Sequence, residues 1–181
     1  MANVTTIPLM TAEDMKTAMV GIAAGICLDF PQNTPCALVG IKSRGIPMAN
    51  YIAKAMKETF KREMPIGTLD INLYRDDLSE VGDAPVVKPV QLPFDITGMN
   101  VILFDDVLFT GRTIRAAMDA LIDHGRPASI KLAVMVDRGF REFPIQADYV
   151  GKRIQTTMKQ NVKVCFEETD GKIECYIKET Q

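Results

Sequence analysis

Histidine and long apolar runs are scarce in this sequence, and each of these two shortages excludes a class of protein. Among 181 residues there is no Trp and a single His, His124. A Ser-His-Asp or Cys-His catalytic site would have to be centred on His124, and the residues around it support neither. No apolar run reaches the roughly 20 residues that span a bilayer. Residues 1–10 lack the basic segment and apolar core of a signal peptide, so we expect a cytoplasmic protein with no membrane partner.

Cysteine content and net charge are also low, which argues against further kinds of site and binding. The four cysteines, Cys27, Cys36, Cys165 and Cys175, form no CxxC pair and have no histidine at ligand spacing. We therefore expect buried thiols rather than a zinc site or a disulfide framework. The formal net charge of −2 argues against indiscriminate nucleic-acid binding, although it allows a local basic patch. The length fits one domain spanning residues 1–181.

The pattern of apolar residues predicts alternating strands and helices. Thr11 is the expected N-cap of a first helix. The buried face of that helix is predicted from helical spacing to contain Met15, Met19, Ile22, Ala23 and Ile26. Further helices are predicted at residues 47–62 and 113–123, and strands at residues 36–41, 69–74, 100–104, 130–136, 162–167 and 173–177. Asp170-Gly171 is a hairpin signal between the last two strands. The alternation over residues 36–136 predicts an α/β fold, with a parallel sheet and helices on both faces.

Two polar loops fall at the edge of the predicted sheet where ligands usually bind, which is beyond the carboxyl ends of the strands. One comprises residues 42–45, and the other follows Phe104. A third polar segment, residues 75–93, is interrupted by glycine and proline and shows no periodicity. A segment of this length is often a lid or a binding arm.

Residues 101–113, Val-Ile-Leu-Phe-Asp-Asp-Val-Leu-Phe-Thr-Gly-Arg-Thr, have the features of a sugar-phosphate site. The start of a helix offers unsatisfied N–H groups to an anion, and Gly111 lets the backbone approach it closely. The hydroxyls of Thr110 and Thr113 add donors. Asp105 and Asp106 would repel a phosphate, but they suit vicinal hydroxyls or hydrated Mg²⁺ beside it. A solvated Asp-Asp loop is the simpler alternative, and a Walker loop is excluded because Gly-Lys-Ser/Thr is absent.

This segment resembles the motif that binds phosphoribosyl diphosphate (PRPP) in type I phosphoribosyltransferases, and residues 42–45 resemble the diphosphate loop of that family. The resemblance implies a central, mostly parallel sheet flanked by helices, with a small hood. It also implies Mg²⁺ as a cofactor, held by Asp105 and Asp106 mostly through water or PRPP. The implied PRPP-binding residues are Lys42, Ser43, Arg44, Gly45, Asp105, Asp106, Val107, Leu108, Phe109, Thr110, Gly111, Arg112 and Thr113.

Residues 70–79 resemble the flexible loop that closes over PRPP in this family. Closure would exclude water from the activated sugar and would bring Arg75 to the diphosphate. The alternative, a charged surface loop, remains open for each side chain there. The resemblance thus implies Arg44, Arg75, Asp105 and Asp106 as the catalytic residues.

Phe109 predicts a pyrimidine substrate. In purine-specific relatives the residue just before Thr-Gly is usually an acid that can bind purine N7, which Phe109 cannot do. Residues 136–152 extend the similarity to bacterial pyrimidine-operon attenuation regulators that are also uracil phosphoribosyltransferases, over about residues 11–178. That resemblance implies conversion of uracil and PRPP to UMP and diphosphate. The expected base-pocket residues are Phe109, Asp137, Arg138, Tyr149 and Val150, although the last two could equally be ordinary strand residues.

Members of this regulator family bind a stem-loop of pyrimidine-operon leader RNA. The first helix has Val20, Gly21 and Ala24 where such regulators tend to be basic, and Phe140 and Gln146 also depart from the pattern. The basic residues left for an RNA patch are Arg115, Arg138, Arg141, Lys152 and Arg153. The resemblance implies that this protein also regulates transcription attenuation of the pyrimidine operon through such RNA, in a way that depends on uridine nucleotides. Two alternatives stay open, an RNA-binding regulator with vestigial catalysis and a phosphoribosyltransferase for another base. The resemblance also implies a homodimer or a higher homo-oligomer.

Overall fold

The computed structural model describes residues 4–71 and 90–180 of the chain. The helices are α1 (Ala12–Asp29), α2 (Gly45–Phe60), α3 (Arg112–His124) and the short α4 (Glu167–Asp170). The strands are β1 (Val4–Met10), β2 (Cys36–Ile41), β3 (Ile66–Leu69), β4 (Val90–Gln91), β5 (Asn100–Leu108), β6 (Ser129–Asp137), β7 (Tyr149–Arg153), β8 (Gln160–Cys165) and β9 (Glu174–Thr180).

The core of the fold is a six-stranded sheet in the order β4-β3-β2-β5-β6-β7. All neighbours are parallel except β3 and β4. Leu38, Ile102 and Phe104 belong to one buried cluster together with the apolar faces of α1 and α2. Val39 and Leu103, the residues that alternate with them, belong to a second cluster with α3. Helices therefore cover both faces, and the predicted α/β architecture is confirmed.

A second, three-stranded antiparallel sheet in the order β1-β9-β8 forms the hood. It joins the first strand of the chain to the last two. Val162, Val164 and Phe166 carry its apolar side into the cluster that contains α1 and α2. The small hood implied by the family resemblance is thus present, and β1, which the apolar pattern did not predict, is part of it.

The first helix follows its sequence pattern closely. Thr11 is the N-cap and forms a capping box with Asp14, each side chain bonding to the backbone N–H of the other. All five residues predicted to face the core are buried. Three of the four cysteines, Cys36, Cys165 and Cys175, are buried as expected, and Cys27 is only partly buried. Within the described ranges, no helix has the length and apolarity needed to cross a bilayer.

Strand boundaries differ from prediction where a neighbouring strand decides them. The strand predicted at residues 69–74 is observed at Ile66–Leu69, because β3 pairs with β2 only as far as Ile41. Most of the remaining residues of that prediction lie outside the described chain. β5 runs to Leu108 instead of stopping at Phe104, because β6 continues beside it to Asp137. Asp105 and Asp106 are therefore strand residues rather than the start of a loop.

Two helical features also differ from prediction. α2 begins at Gly45, two positions before the predicted start at Pro47, with Arg44 as its N-cap. The Asp170-Gly171 signal does not produce a tight hairpin. Residues Glu167–Asp170 instead form one helical turn, and Gly171 ends it with a φ of 68°. The Asp170 carboxylate accepts hydrogen bonds from within this turn, which stabilises it in place of the hairpin.

Gly45 lets the start of α2 lie directly on β5. A Cβ atom at Gly45 would lie 2.1 Å from the carbonyl oxygen of Phe104, so no other residue fits without displacing backbone. Gly21, in the exposed middle of α1, has nothing within 4 Å of the corresponding position. Substitution by alanine should therefore change stability in opposite directions at these two glycines.

We expect Gly45→Ala to lower the free energy of unfolding by about 1–3 kcal/mol or more, because the methyl group overpacks a rigid backbone contact. Gly21→Ala, the matched control, should raise it by about 0.5–1 kcal/mol, because alanine favours a helix interior. Denaturant unfolding of both variants measures these values. Equal effects of the two substitutions would contradict the packing derived for α2.

Candidate active site

The carboxyl edge of the six-stranded sheet brings the predicted loops together. β2, β5 and β6 are consecutive neighbours and end there at Ile41, Leu108 and Asp137. Leu108 pairs with Asp137, so the segments after β5 and β6 start side by side. α2 and α3 both begin at this edge, which directs the positive ends of two helix dipoles toward it. An anionic ligand is favoured there for electrostatic reasons.

The loop after β2 is held by contacts to β3 and to the hood. Lys42 donates its backbone N–H to Leu69 O at 2.9 Å, and its ammonium contacts Asp70 Oδ2 at 3.0 Å. The Lys42–Ser43 peptide bond is cis. Arg44 donates from Nε and Nη2 to the two carboxylate oxygens of Asp170, at 3.1 and 2.6 Å. The predicted diphosphate loop is therefore cationic and anchored at both ends.

Asp105 and Asp106 lie at the end of β5 next to this loop. Asp105 is buried, and its Oδ1 accepts the backbone N–H of Asp106 at 3.0 Å. Burial raises the pKa of Asp106, and the charge of Arg44 acts in the opposite direction. Arg44 in turn has a raised pKa, first because of its hydrogen bond to Asp170 and more weakly because of Asp106. Arg44 thus lies in the field of carboxylates from both β5 and the hood.

The loop between β5 and α3 has the geometry of an anion site. Gly111 is the N-cap of α3, with a φ of 93°, and it has no side chain to occupy the N–H groups of the first turn. The backbone N–H of Arg112 donates to Thr110 Oγ1, with 3.3 Å between nitrogen and oxygen. The Arg112 guanidinium pairs with Glu142 at 2.6 Å and stacks on Phe143. Thr113 is partly buried in the same turn.

Arg141 fastens the segment after β6 to the loop after β5. Its guanidinium donates to the carbonyl oxygens of Phe109, Gly139 and Ile145 at 2.8, 3.1 and 2.9 Å. It also pairs with Asp137 Oδ1 at 2.5 Å. Sequence reasoning considered Arg141 only as an RNA contact. The Arg-Gly-Phe-Arg pattern directly after a strand was the available signal, but the acceptors lie on two separate loops and could not be paired from sequence.

Phe109 and Arg138 form a stacked pair at the same edge. The Arg138 guanidinium lies 4.1 Å from the centroid of the Phe109 ring, and Arg138 is 3% exposed. Arg138 also donates to Thr156 Oγ1 and to Thr157 O, both at 3.0 Å. Burial lowers the pKa of Arg138. Phe140 contacts the edge of the Phe109 ring. These residues line one side of the edge with an aromatic face and a fixed cation.

Tyr149 and Val150 lie away from this edge. Tyr149 pairs with Ala133, four positions before Asp137 in β6. Its hydroxyl donates to Asp29 Oδ2 at 2.7 Å, and burial raises its pKa. Val150 packs into the cluster with α3. The geometry does not support their predicted place in a base pocket and favours the alternative, strand residues with structural roles.

The five basic residues predicted for an RNA patch do not share one surface. Arg138 and Arg141 point inward and donate to the acceptors described above, and Arg115 forms a surface pair with Asp119 on α3. Lys152 and Arg153 are exposed on β7, at the edge of the sheet. They are successive residues of the strand, and the Lys152 ammonium donates to Leu9 O of the hood at 3.0 Å. Arg75, predicted to act on the diphosphate, lies outside the described residues.

The metal ligands that the described residues offer at this sheet edge are carboxylate oxygens. No cluster of three or more His, Cys, Asp or Glu side chains suited to a metal is found in residues 4–71 and 90–180. The adjacent carboxylates of Asp105 and Asp106 instead provide oxygen donors next to an anion site. Mg²⁺ commonly binds through one or two carboxylates together with substrate phosphates, so this donor set fits a magnesium ion that arrives with its substrate.

Comparison with known proteins agrees with this geometry. The phosphoribosyl transferase domain model matches residues 10–169. "Bifunctional protein PyrR" of Thermus aquaticus is 52% identical over 173 residues, covering 94% of this chain and 96% of its own. The protein of the same name from Chloroflexus aurantiacus is 51% identical over 163 residues, covering 90% of each chain.

Solved structures share the fold at low sequence identity. A hypoxanthine-guanine phosphoribosyltransferase from Bacillus anthracis superposes with a TM-score of 0.71 at 19% identity, covering 99% of both chains. A hypoxanthine phosphoribosyltransferase from Staphylococcus aureus gives 0.69 at 23% identity, covering 96% of this chain and 90% of its own. The fold, the residues matched by the domain model and the identity to the PyrR proteins together show that the chain belongs to the PyrR family of type I phosphoribosyltransferases.

Proposed function

We propose that this protein transfers the phosphoribosyl group of PRPP to uracil, giving UMP and diphosphate. The observation that carries the proposal is the meeting of two loops at one sheet edge. The Lys42–Gly45 loop is cationic, and the Asp105–Thr113 segment combines carboxylates with a helix start. One suits a diphosphate and the other a ribose 5-phosphate. Membership of the PyrR family, whose curated relatives are named bifunctional, supports the same conclusion.

Each part of the site has a proposed role in this displacement. The N–H groups at the start of α3 and the hydroxyls of Thr110 and Thr113 bind the 5-phosphate, and Asp105 and Asp106 accept hydrogen bonds from the ribose hydroxyls. The bond from C1 to the diphosphate breaks as the bond to uracil N1 forms, the bonding electrons leave with the diphosphate, and the N1 proton is released to water. Lys42 and Arg44 stabilise the negative charge that develops on the departing diphosphate. Mg²⁺ bound with PRPP would neutralise part of that charge.

The base side of the proposed site comprises Phe109, Asp137 and Arg138. Phe109 supplies an apolar aromatic face, and Arg138 fixes the orientation of its ring from the other side. The contacts of Arg141 hold Asp137 and the carbonyl of Phe109 in one arrangement. A pyrimidine ring suits this edge because Phe109 offers no partner for purine N7. Another base remains the alternative, and a panel of uracil, xanthine, orotate and hypoxanthine separates them.

We expect turnover of uracil with PRPP and Mg²⁺, and a fall of at least about a hundredfold in kcat/KM for PRPP in the double variant Asp105→Asn, Asp106→Asn. Each carboxylate that bonds a hydroxyl contributes about 1.5–3 kcal/mol, and tenfold corresponds to about 1.4 kcal/mol. The assay measures UMP formed from labelled uracil. Asp119→Asn, an exposed carboxylate on α3, is the matched control and should turn over normally. Unchanged turnover in the double variant would exclude the proposed sugar site.

We expect Phe109→Leu to raise KM for uracil by about 2- to 12-fold, because it removes a stacking contact between two rings of roughly 0.5–1.5 kcal/mol. Phe109→Tyr keeps the ring and should behave like the original protein. KM for PRPP should stay within about twofold in both variants, because the affected contact lies on the base side. Initial rates at varied uracil and fixed PRPP provide the measurement. A rise confined to KM for PRPP would place Phe109 on the wrong side of the site.

A second proposed function is regulation through pyrimidine-operon leader RNA, modulated by uridine nucleotides. The identity to curated proteins named bifunctional favours it. Lys152 and Arg153, exposed on edge strand β7, are the proposed phosphate contacts. We further propose that the protein acts in the cytoplasm as a homodimer or a larger homo-oligomer, which mass measurement in solution tests.

We expect the leader RNA of the organism's own pyrimidine operon to bind in a gel-shift assay, more tightly with UMP than without it. Lys152→Ala with Arg153→Ala should weaken binding at all salt concentrations and reduce the salt slope by about one to two, because phosphate contacts release counterions. Lys57→Ala, an exposed cation in the last turn of α2 and so near the amino ends of the strands, is the matched control. An equal loss in the control and the double variant would contradict an interface at β7.

A further inference from the structure

The hood provides a carboxylate that is fixed before any ligand binds. Asp170 Oδ2 accepts the backbone N–H of Phe166 at 3.1 Å and the Thr169 hydroxyl at 2.6 Å. The two carboxylate oxygens also accept the Nε and Nη2 groups of Arg44, 126 residues away in sequence. The Asp170 side chain is 16% exposed. The hydrogen bond to Arg44 holds the pKa of Asp170 well below its ordinary value, so the carboxylate stays charged near neutral pH.

The geometry of the Arg44–Asp170 ion pair leaves some N–H donors of the guanidinium available to a ligand. A guanidinium carries its N–H donors in a rigid planar fork, and a bidentate carboxylate occupies only one edge of that fork. Asp170 occupies the edge formed by Nε and one N–H of Nη2. No acceptor within residues 4–71 and 90–180 is hydrogen-bonded to Nη1, so that edge is left for another acceptor. The Arg44 side chain is one-third exposed and lies in the field of Asp106, at the sugar side of the site.

The hood does not depend on this ion pair for its attachment. Phe166, which precedes α4, is fully buried in the cluster shared by α1 and α2, and its ring lies 6.4 Å from that of Tyr51 on α2. Apolar packing of this kind holds the turn in place. The remaining consequence of the Asp170–Arg44 pair is therefore to set the direction of the guanidinium.

We propose that Asp170 is a positioning residue, which fixes Arg44 so that its Nη1 edge faces the diphosphate of PRPP. This inference rests on the proposed function, since it takes PRPP as the ligand. A flexible arginine would have to be ordered when PRPP binds, whereas a fixed one is already in place, and that difference favours binding. The rival possibility is that Asp170 competes with the diphosphate for Arg44. The two possibilities predict opposite effects of removing the carboxylate charge.

The test compares initial rates of Asp170→Asn with those of the original protein at varied PRPP and at varied uracil. We expect KM for PRPP to rise about three- to thirtyfold and KM for uracil to change less than twofold. A general loss of structure would instead lower kcat or raise both KM values. Glu168→Gln, an exposed acid in the same helical turn, is the matched control and should leave both KM values unchanged. A fall in KM for PRPP in Asp170→Asn would establish competition and overturn the proposal.

A double-mutant cycle with Arg44→Lys isolates the pair. Lysine keeps the charge but cannot be held bidentately, so Asp170→Asn should add less than about twofold in the Arg44→Lys background. Equal effects in both backgrounds would overturn the proposal. If Asp170→Asn does not fold, Thr169→Val removes one support of the carboxylate and should raise KM for PRPP by a smaller factor, about two- to fourfold. No change in that folded variant would count against positioning.

These results separate the inference from the function on which it rests. Turnover of uracil by the original protein with an unchanged KM for PRPP in Asp170→Asn would overturn the role of Asp170 and leave the proposed function intact. Absence of turnover in the original protein would overturn the proposed function instead. In that case calorimetry with magnesium-loaded PRPP compares the two proteins directly, and equal affinities would overturn the positioning role.

Discussion

The contact between Gly45 and the carbonyl oxygen of Phe104 is the constraint on which the rest of the site depends. β2 and β5 are parallel neighbours, so the loops that follow them start at the same edge. Only glycine lets the start of α2 lie on β5 at the point where Asp105 begins. Gly40 adapts in the same way, because a Cβ atom there would lie 2.6 Å from the Cα of Ile46. A basic loop and an acidic strand end are thereby held side by side, at a spacing that backbone atoms determine.

Two of the arginines at this sheet edge form contacts within the protein itself. Arg138 stacks on Phe109, and Arg141 joins Asp137 to three carbonyl groups. Buried cations need such acceptors because desolvation is costly. Both guanidiniums are therefore engaged at the sheet edge and contribute little to an exposed basic surface. Of the predicted patch, Arg115 on α3 and Lys152 and Arg153 on β7 keep exposed side chains.

Local patterns predicted this fold well, and non-local contacts limited the rest. The buried face of α1 was predicted completely because helical periodicity is a property of the segment itself. The limits of β3 and β5 depend on how far their neighbours β2 and β6 extend. The length of a neighbouring strand cannot be predicted from the sequence of one segment alone. Asp170-Gly171 has the local pattern of a hairpin, but Asp170 bonds within its own helical turn and to Arg44, which is 126 residues away in sequence. The partners of Arg141 were missed for the same reason.

The hood connects both ends of the chain to the chemistry proposed for the sheet edge. Its three strands come from the first and last parts of the sequence, and its turn meets α2 twice. One contact is apolar, between Phe166 and Tyr51, and the other is ionic, between Asp170 and Arg44. Apolar packing resists displacement but has little directional preference, whereas a bidentate ion pair fixes an angle. Because these tasks fall to different residues, the ion pair can be removed while the apolar contact keeps the hood attached, and the proposed role of the pair is to set the direction of the Arg44 guanidinium.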